Sequence, residues 1–194
     1  MGKLLAAVAS TTAIVIVGAT IFLPFAAFVT HLVHETGHGL ACEVQGGTVP
    51  DWWVAVRPSG SMDCKPTIDV LTTVGGPMLQ LFVWITLTLA FTSWASYWKT
   101  VNGWQAALIL FWLAWSIWNV PQPISWMSHM TPTEGTDWDP ARLIQLTHVS
   151  STMFIAGSWA VLGLLLVIAT ACMYTLLRPS WAAIKQLALE SPSQ

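Results

Sequence analysis

Four long apolar stretches that carry almost no charge limit what this chain can fold into. They are Leu4–Cys42, Ile68–Tyr97, Trp104–Val120 and Thr152–Leu177, and a membrane-crossing α-helix needs about 20 residues. Only 8% of the residues are charged, whereas a soluble surface needs several times more. No linker, charge run or internal repeat divides the chain. The sequence therefore predicts one membrane-embedded domain over residues 1–194, an all-α polytopic membrane protein with about four transmembrane spans.

The first stretch is too long for one simple crossing, because Leu4 to Val33 alone would extend about 45 Å as an α-helix. Pro24 offers a natural place for a break. A break there gives five or six spans, whereas an unbroken stretch is one long tilted helix. The apolar run far exceeds that of a signal peptide, and Lys3 is the only charge before it, so we expect a retained helix.

A short segment after the first stretch has the composition of β-structure. Gly46 and Gly47 indicate a turn, and Asp51–Arg57 then brings tryptophan and valine together. We expect a short β-rich segment here. An exposed strand would hold an extended substrate by edge pairing, and the alternative is an interfacial loop with Trp52 and Trp53 among the lipid headgroups.

An H-E-x-x-H motif, residues 34–38, stands at the end of the first stretch. His34 and His38 are four residues apart, so on a helix both imidazoles project from one face and can share a tetrahedral Zn²⁺. Bound zinc acidifies a water molecule, and the carboxylate of Glu35 beside it can take the proton while the hydroxide attacks a peptide carbonyl. The motif predicts Zn²⁺ as the cofactor, with Glu35 as the general base.

A catalytic zinc keeps three protein ligands and one open position, so the two histidines need a partner from elsewhere. Asp137 and Asp139 lie in a polar turn before the helical-looking segment Pro140–Thr147. Asp139 is well suited to cap that helix, with Pro140 at its first position. Asp137 is therefore the preferred third ligand, and Asp139 is the alternative.

Other candidate ligands have simpler explanations. Cys42 continues the face of the two motif histidines, but a small buried thiol on an apolar helix is commoner. His31 lies one turn before the motif and would support the ligands by hydrogen bonding. For His129 and His148 we expect surface or hydrogen-bonding roles.

These motifs, in this order, resemble those of the site-2 protease class of intramembrane zinc metalloproteases, in particular its small bacterial members. Residues 34–40 followed by Gly46-Gly47 are similar to the zinc helix of that family and the glycine pair after it. Gly75-Gly76-Pro77 resembles the Gly-Pro of its next core helix, and Asn119-Val120-Pro121 the start of its Asn/Pro segment. Gly135-Thr136-Asp137 stands where an Asp-Gly motif supplies the third zinc ligand of the family.

The resemblance covers most of the chain and implies an intramembrane zinc endopeptidase of the bacterial inner membrane. It also implies that the Asn119 amide binds the substrate backbone or stabilises the oxyanion; locally, Asn119 reads equally as a helix end before Pro121. Three features depart from the family pattern. Trp138 follows Asp137 in place of glycine, the interval from Asn119 to Asp137 is longer, and Thr36 replaces an apolar residue.

Cysteine and charge bear on the orientation in the membrane. A Cys42–Cys64 bridge requires that the loop between them faces an oxidising compartment. Four crossings put most of the basic residues outside the apolar stretches on one side, which predicts cytoplasmic termini and a zinc motif towards the opposite face. A broken first span would reverse the second conclusion. These basic residues are Lys3, Lys99, Arg178 and Lys185.

Three functions are compatible with these residues. The first is a zinc endopeptidase that cleaves a membrane-spanning or membrane-anchored protein, and the second is a protease-like scaffold or assembly factor bound in a larger membrane complex. The third is a zinc hydrolase that acts on lipid or another non-peptide substrate. A net charge of −2 with scattered Lys and Arg gives no footprint for nucleic acid.

Overall fold

The computed structural model describes residues 2–50, 52–54, 60–62, 64–65, 69–130 and 139–190. Four helical segments there are long and apolar enough to cross a membrane: Ile16–Val44, Val70–Ala95, Gly103–Ser128 and Ser151–Arg178. This confirms the prediction of a helical chain with four segments of membrane-crossing length. The elements are α1 Gly2–Val44, β1 Trp52–Val54, β2 Gly60–Met62, α2 Val70–Ala95, α3 Gly103–Asn119, α4 Gln122–Ser128, α5 Asp139–Thr147 and α6 Ser151–Glu190.

Helix α1 continues through Pro24, so the first stretch is one helix of 43 residues rather than two pieces. At about 1.5 Å per residue it extends roughly 65 Å, about twice the thickness of the hydrocarbon core. Proline removes one backbone hydrogen bond of a helix, and a bilayer offers no water to replace it. A membrane helix continues through a proline where neighbouring helices pack against it and satisfy the freed backbone group. Ala26 and Ala27, in the turn that follows Pro24, are buried in this way.

Polar residues fix the ends of the next two helices. The Asp69 side chain accepts a hydrogen bond from the backbone N–H of Thr72 and caps α2. Asn102 and Gln105 form a reciprocal capping box at the start of α3. At the far end of α3, Pro121 separates it from the short helix α4.

The core of the bundle is formed where the four long helices meet. Helix α1 packs along α2 and α3, while α6 packs against α2 and α4. The central cluster of buried side chains takes members from all four long helices, and large apolar side chains on the outer faces, such as Phe82 and Val167, are exposed. Such an outer surface suits lipid. The central cluster consists of Ala26, Trp84, Ala114, Trp115 and Leu165.

A small hairpin follows α1 and packs against it. Strands β1 and β2 are antiparallel, with Trp53 opposite Ser61. The short β-rich segment expected over Asp51–Arg57 is not shown as such, because only residues 52–54 of it are described. A disulfide between Cys42 and Cys64, with Cα atoms 5.8 Å apart, ties the end of α1 to the chain after the hairpin.

Candidate metal centre

One turn of α1 carries His34, Glu35 and His38 at the level where α2 and α5 pack nearby. The two imidazole rings have centroids 4.7 Å apart, as expected for residues four apart on a helix. Their Nε2 atoms are 3.1 Å apart. The structure therefore brings the two motif histidines together in the way that their spacing predicts.

Asp139, the first residue of α5, faces both histidines. Its Oδ2 lies 3.1 Å from Nε2 of His34 and 3.2 Å from Nε2 of His38. Among the described residues, these three side chains are the one His, Cys, Asp and Glu group whose ligand atoms converge closely enough for a metal ion. Asp137, the preferred third ligand from the sequence, lies outside the described residues. Asp139, for which the sequence suggests the role of helix cap, is thus the carboxylate found beside the motif.

The two histidines favour the ionised form of the Asp139 carboxylate. Burial alone would raise the pKa of this carboxyl group, but its hydrogen bonds and charge interactions with His34 and His38 outweigh burial and hold the pKa well below the ordinary value. Asp139 therefore offers an anionic oxygen as a candidate ligand, and its side chain is 30% exposed. This is the form in which a carboxylate binds a cation.

A directed chain of hydrogen bonds fixes the proton on His34. The Nδ2 group of Asn119 donates to the backbone carbonyl of Trp115 at 2.8 Å, and a carbonyl can only accept. The Oδ1 of Asn119 therefore accepts from Nε2 of Gln80 at 2.9 Å. This turns Oε1 of Gln80 towards Nδ1 of His34, also at 2.9 Å, so Nδ1 carries a proton and, in the neutral imidazole, Nε2 carries a free lone pair.

A backbone contact likewise fixes a proton on Nδ1 of His38. Its Nδ1 lies 2.7 Å from the carbonyl oxygen of Thr72 in the first turn of α2, so Nδ1 donates and, in the neutral imidazole, Nε2 keeps its lone pair. When both imidazoles are neutral, two lone pairs and one carboxylate oxygen point at the same place. These three acceptors repel one another unless a metal ion or a shared proton lies between them.

The donor set fits a zinc ion. A tetrahedral site with metal–ligand distances of about 2.0–2.1 Å has ligand atoms about 3.3 Å apart, and the three pairwise distances here are 3.1, 3.1 and 3.2 Å. Two imidazoles and one carboxylate are ligands of catalytic zinc, whose remaining position stays open. Each histidine also gives its other N–H to an oxygen acceptor, which is the usual support for a zinc-bound imidazole.

Glycines let α2 approach the motif closely enough for these contacts. A Cβ atom on Gly37 would lie within 2.3 Å of the backbone carbonyl oxygen of Gly75, which places the two helix backbones in direct contact. A Cβ atom on Gly76 would lie 2.4 Å from Nε2 of His38. Gly76 is therefore the surface on which the His38 ring lies, and Gly75 faces the backbone of Gly37.

Glu35 lies beside this group as the motif predicts. Its side chain is largely buried, with the residue 7% exposed, and it interacts electrostatically with His34, His38 and Asp139. Because it belongs to the same helical turn, its position relative to the ligands is set by α1 itself. A carboxylate here can exchange a proton with a water molecule at the open side of the site.

Asn119 is linked to the site by way of Gln80. The residue is 0% exposed, and its amide binds Gln80, Thr30 and the Trp115 carbonyl. The contact with substrate backbone or oxyanion stays a prediction. Its position suits an orienting role for His34.

The remaining sequence candidates lie apart from this group. The thiol of Cys42 is consumed by its disulfide with Cys64 and no longer qualifies as a ligand. The His31 ring packs edge-on against Trp118, with centroids 5.9 Å apart. His129 hydrogen-bonds within α4, and His148 is exposed at the end of α5.

Three residues of α2 complete the site: Gly76, which belongs to the Gly75-Gly76-Pro77 motif, and Thr72 and Gln80, which belong to no motif. Gln80 carries a sequence signal, since an uncharged but strongly polar side chain within an apolar span is rare without a partner. Thr72 acts through its backbone carbonyl, which any residue would supply, so its identity gives no signal.

Comparison with models of protein families, with curated proteins and with solved structures finds no match to this chain.

Proposed function

We propose that this protein is a zinc-dependent endopeptidase that cleaves a membrane-spanning or membrane-anchored protein. The observation that carries the proposal is the convergence of His34, His38 and Asp139 with Glu35 beside them. Helices of membrane-crossing length surround this group, so the reaction would take place at or within the bilayer. The family resemblance of the motifs extends the proposal to the bacterial inner membrane.

His34, His38 and Asp139 would hold the zinc ion, which when bound would make water acidic enough to react and would polarise the peptide carbonyl. Gln80 and the Thr72 carbonyl keep the two imidazoles in the tautomer that leaves Nε2 free. The carboxylate of Glu35 takes one proton from the attacking water. It then gives that proton to the nitrogen of the departing amine, so that the peptide bond is replaced by a carboxyl group and an amine.

The test compares Glu35→Gln with the wild-type protein. We expect both to retain about one zinc per chain by elemental analysis, because Glu35 is not one of the converging ligands. Membranes from cells that produce the wild type should contain new fragments of membrane proteins, detected by mass spectrometry of their new termini. These fragments should be absent with Glu35→Gln, because general acid–base catalysis contributes about 10²–10⁴-fold to the rate.

Glu43→Gln is the matched control, since Glu43 is an exposed acid on the same helix. It should behave as the wild type does. Identical fragments from the wild type and Glu35→Gln would overturn the endopeptidase proposal and favour the scaffold function. Fragments of lipid rather than protein that depend on Glu35 would favour the hydrolase of non-peptide substrates.

A further inference from the structure

A cavity of about 300 Å³ adjoins the metal centre. Helices α2, α4, α5 and α6 form its walls, and Asp139 belongs to both the cavity wall and the converging ligand group. A molecule whose reacting bond lies at the metal therefore has this cavity directly next to that bond. The volume is at the lower end of the range for ligand sites, which is about 300–1,000 Å³.

The chemistry of the walls restricts what can occupy the cavity. Apart from Asp139 at one side, most of the lining is apolar, with Leu81, Leu143, Phe154 and Val161 among its side chains. A polar or charged group would lose its hydration here with few partners in return, whereas an apolar group gains by leaving water. An extended peptide also needs room outside the cavity for its polar backbone, so a side chain is the part that enters.

We propose that this cavity receives one large apolar side chain of the substrate peptide, adjacent to the bond that is cut. The inference rests on the proposed endopeptidase function and adds a specificity to it. Substrates with leucine or a residue of similar size at that position bind, and substrates with aspartate or glycine there bind poorly.

Gly157 is a position where a larger side chain can fill the cavity without disturbing the fold. It lines the cavity from α6 and is exposed, and a Cβ atom built on it meets nothing within 4 Å. A large side chain at this position would occupy the cavity rather than strain the helix. Gly163 provides a matched control, because it lies on the same helix, is exposed and has equal space around it, but does not line the cavity.

The experiment measures binding of three hydroxamates to the zinc-loaded, detergent-purified protein by calorimetry. Acetohydroxamate binds zinc and carries only a methyl group, 4-methylpentanohydroxamate adds a leucine-sized group, and dodecanohydroxamate carries a chain of lipid length. We expect the leucine-sized probe to bind wild type at least about tenfold more tightly than acetohydroxamate, since it buries four further carbons. Gly157→Phe should abolish this gain, and Gly163→Phe should preserve it.

The outcomes distinguish a failure of the cavity proposal from a failure of the proposed metal site. Binding of acetohydroxamate by all three proteins, with no gain for the leucine-sized probe or an equal gain in both variants, would overturn the proposal and leave the metal centre intact. Tighter binding of dodecanohydroxamate that depends on Gly157 would assign the cavity to a lipid chain and also overturn it. If no hydroxamate binds to any of the three proteins, the result contradicts the zinc site itself and therefore the proposed function.

Discussion

Nδ1 of His34 and Oε1 of Gln80 lie 2.9 Å apart and join the motif-bearing helix α1 to α2. The contact is the last step of a hydrogen-bond chain that begins at the Trp115 carbonyl and passes through Asn119. A backbone carbonyl on α3 thus determines which nitrogen of His34 is free to bind a metal. The tautomer of His34, a candidate ligand on α1, is thus set by residues of the helices α2 and α3.

Gln80→Leu should weaken zinc binding by about 10–100-fold, because removal of the group that orients a metal-bound histidine has effects of that size. The measurement is competition for zinc with a coloured chelator. Thr88→Val is the matched control: Thr88 is also buried on α2 and accepts a hydrogen bond from Trp112. If Thr88→Val weakens zinc binding as much, the effect is a general loosening of the bundle and not an orientation of His34.

Asp139→Ala should reduce zinc from about one ion per chain to nearly none, because it removes one of three converging ligands. Asp137→Ala should retain the ion. Elemental analysis of the two variants, purified identically beside the wild type, gives the answer. Zinc lost from Asp137→Ala and kept in Asp139→Ala would transfer the role of third ligand to Asp137.

Gly76→Ala should expel the His38 ring from its place while leaving the protein folded. The added methyl group would lie 2.4 Å from Nε2 of His38, and overpacking of this kind costs about 1–3 kcal/mol. The ring can move more easily than the helix, so zinc affinity falls more than thermal stability. Gly163→Ala, where the methyl group meets nothing within 4 Å, should change neither; equal losses of zinc affinity in both variants would refute the argument.

Asp69→Ala should lower the free energy of unfolding by about 0.5–2 kcal/mol at neutral pH, since it removes the cap of α2. The backbone N–H of Thr72 holds the pKa of Asp69 below its usual value. The ionised carboxylate therefore contributes stability above the unfolded pKa of about 4, and this contribution is lost as the pH falls through the lower pKa of the folded state.

Melting temperatures of wild type and Asp69→Ala, measured in one detergent from pH 7 downward, should therefore converge in acid. A difference that persists or grows as the pH falls would show that the carboxylate does not act through its ionised form.

Sequence patterns predicted the parts of this molecule that depend on local spacing and composition. Helical spacing brings His34 and His38 together, and apolar length gives the four membrane-crossing segments. The choice between Asp137 and Asp139 depends on where α5 begins relative to α1, which is set by packing between distant segments. The contacts of Asn119 with Thr30 and Gln80 have no sequence signal for a similar reason, because these partners lie 89 and 39 residues away.

Pro24 shows the limit of a local rule. A proline usually ends or bends a helix, and the sequence left open whether Pro24 divides the first stretch or lies within one long tilted helix. In the structure the surrounding bundle keeps α1 continuous, so packing decides the outcome. Gly75 and Gly76 likewise matter through what approaches them from α1, and no pattern within α2 reveals that neighbour.

The Cys42–Cys64 disulfide gives the chain an order of assembly. A disulfide forms where thiols are oxidised, and Cys42 is one helical turn beyond His38 on α1. An oxidising compartment on that side of the membrane would therefore hold both the bond and the motif-bearing end of the helix. The bond would then fix the segment after α1 beside the motif only once that end of α1 has left a reducing compartment.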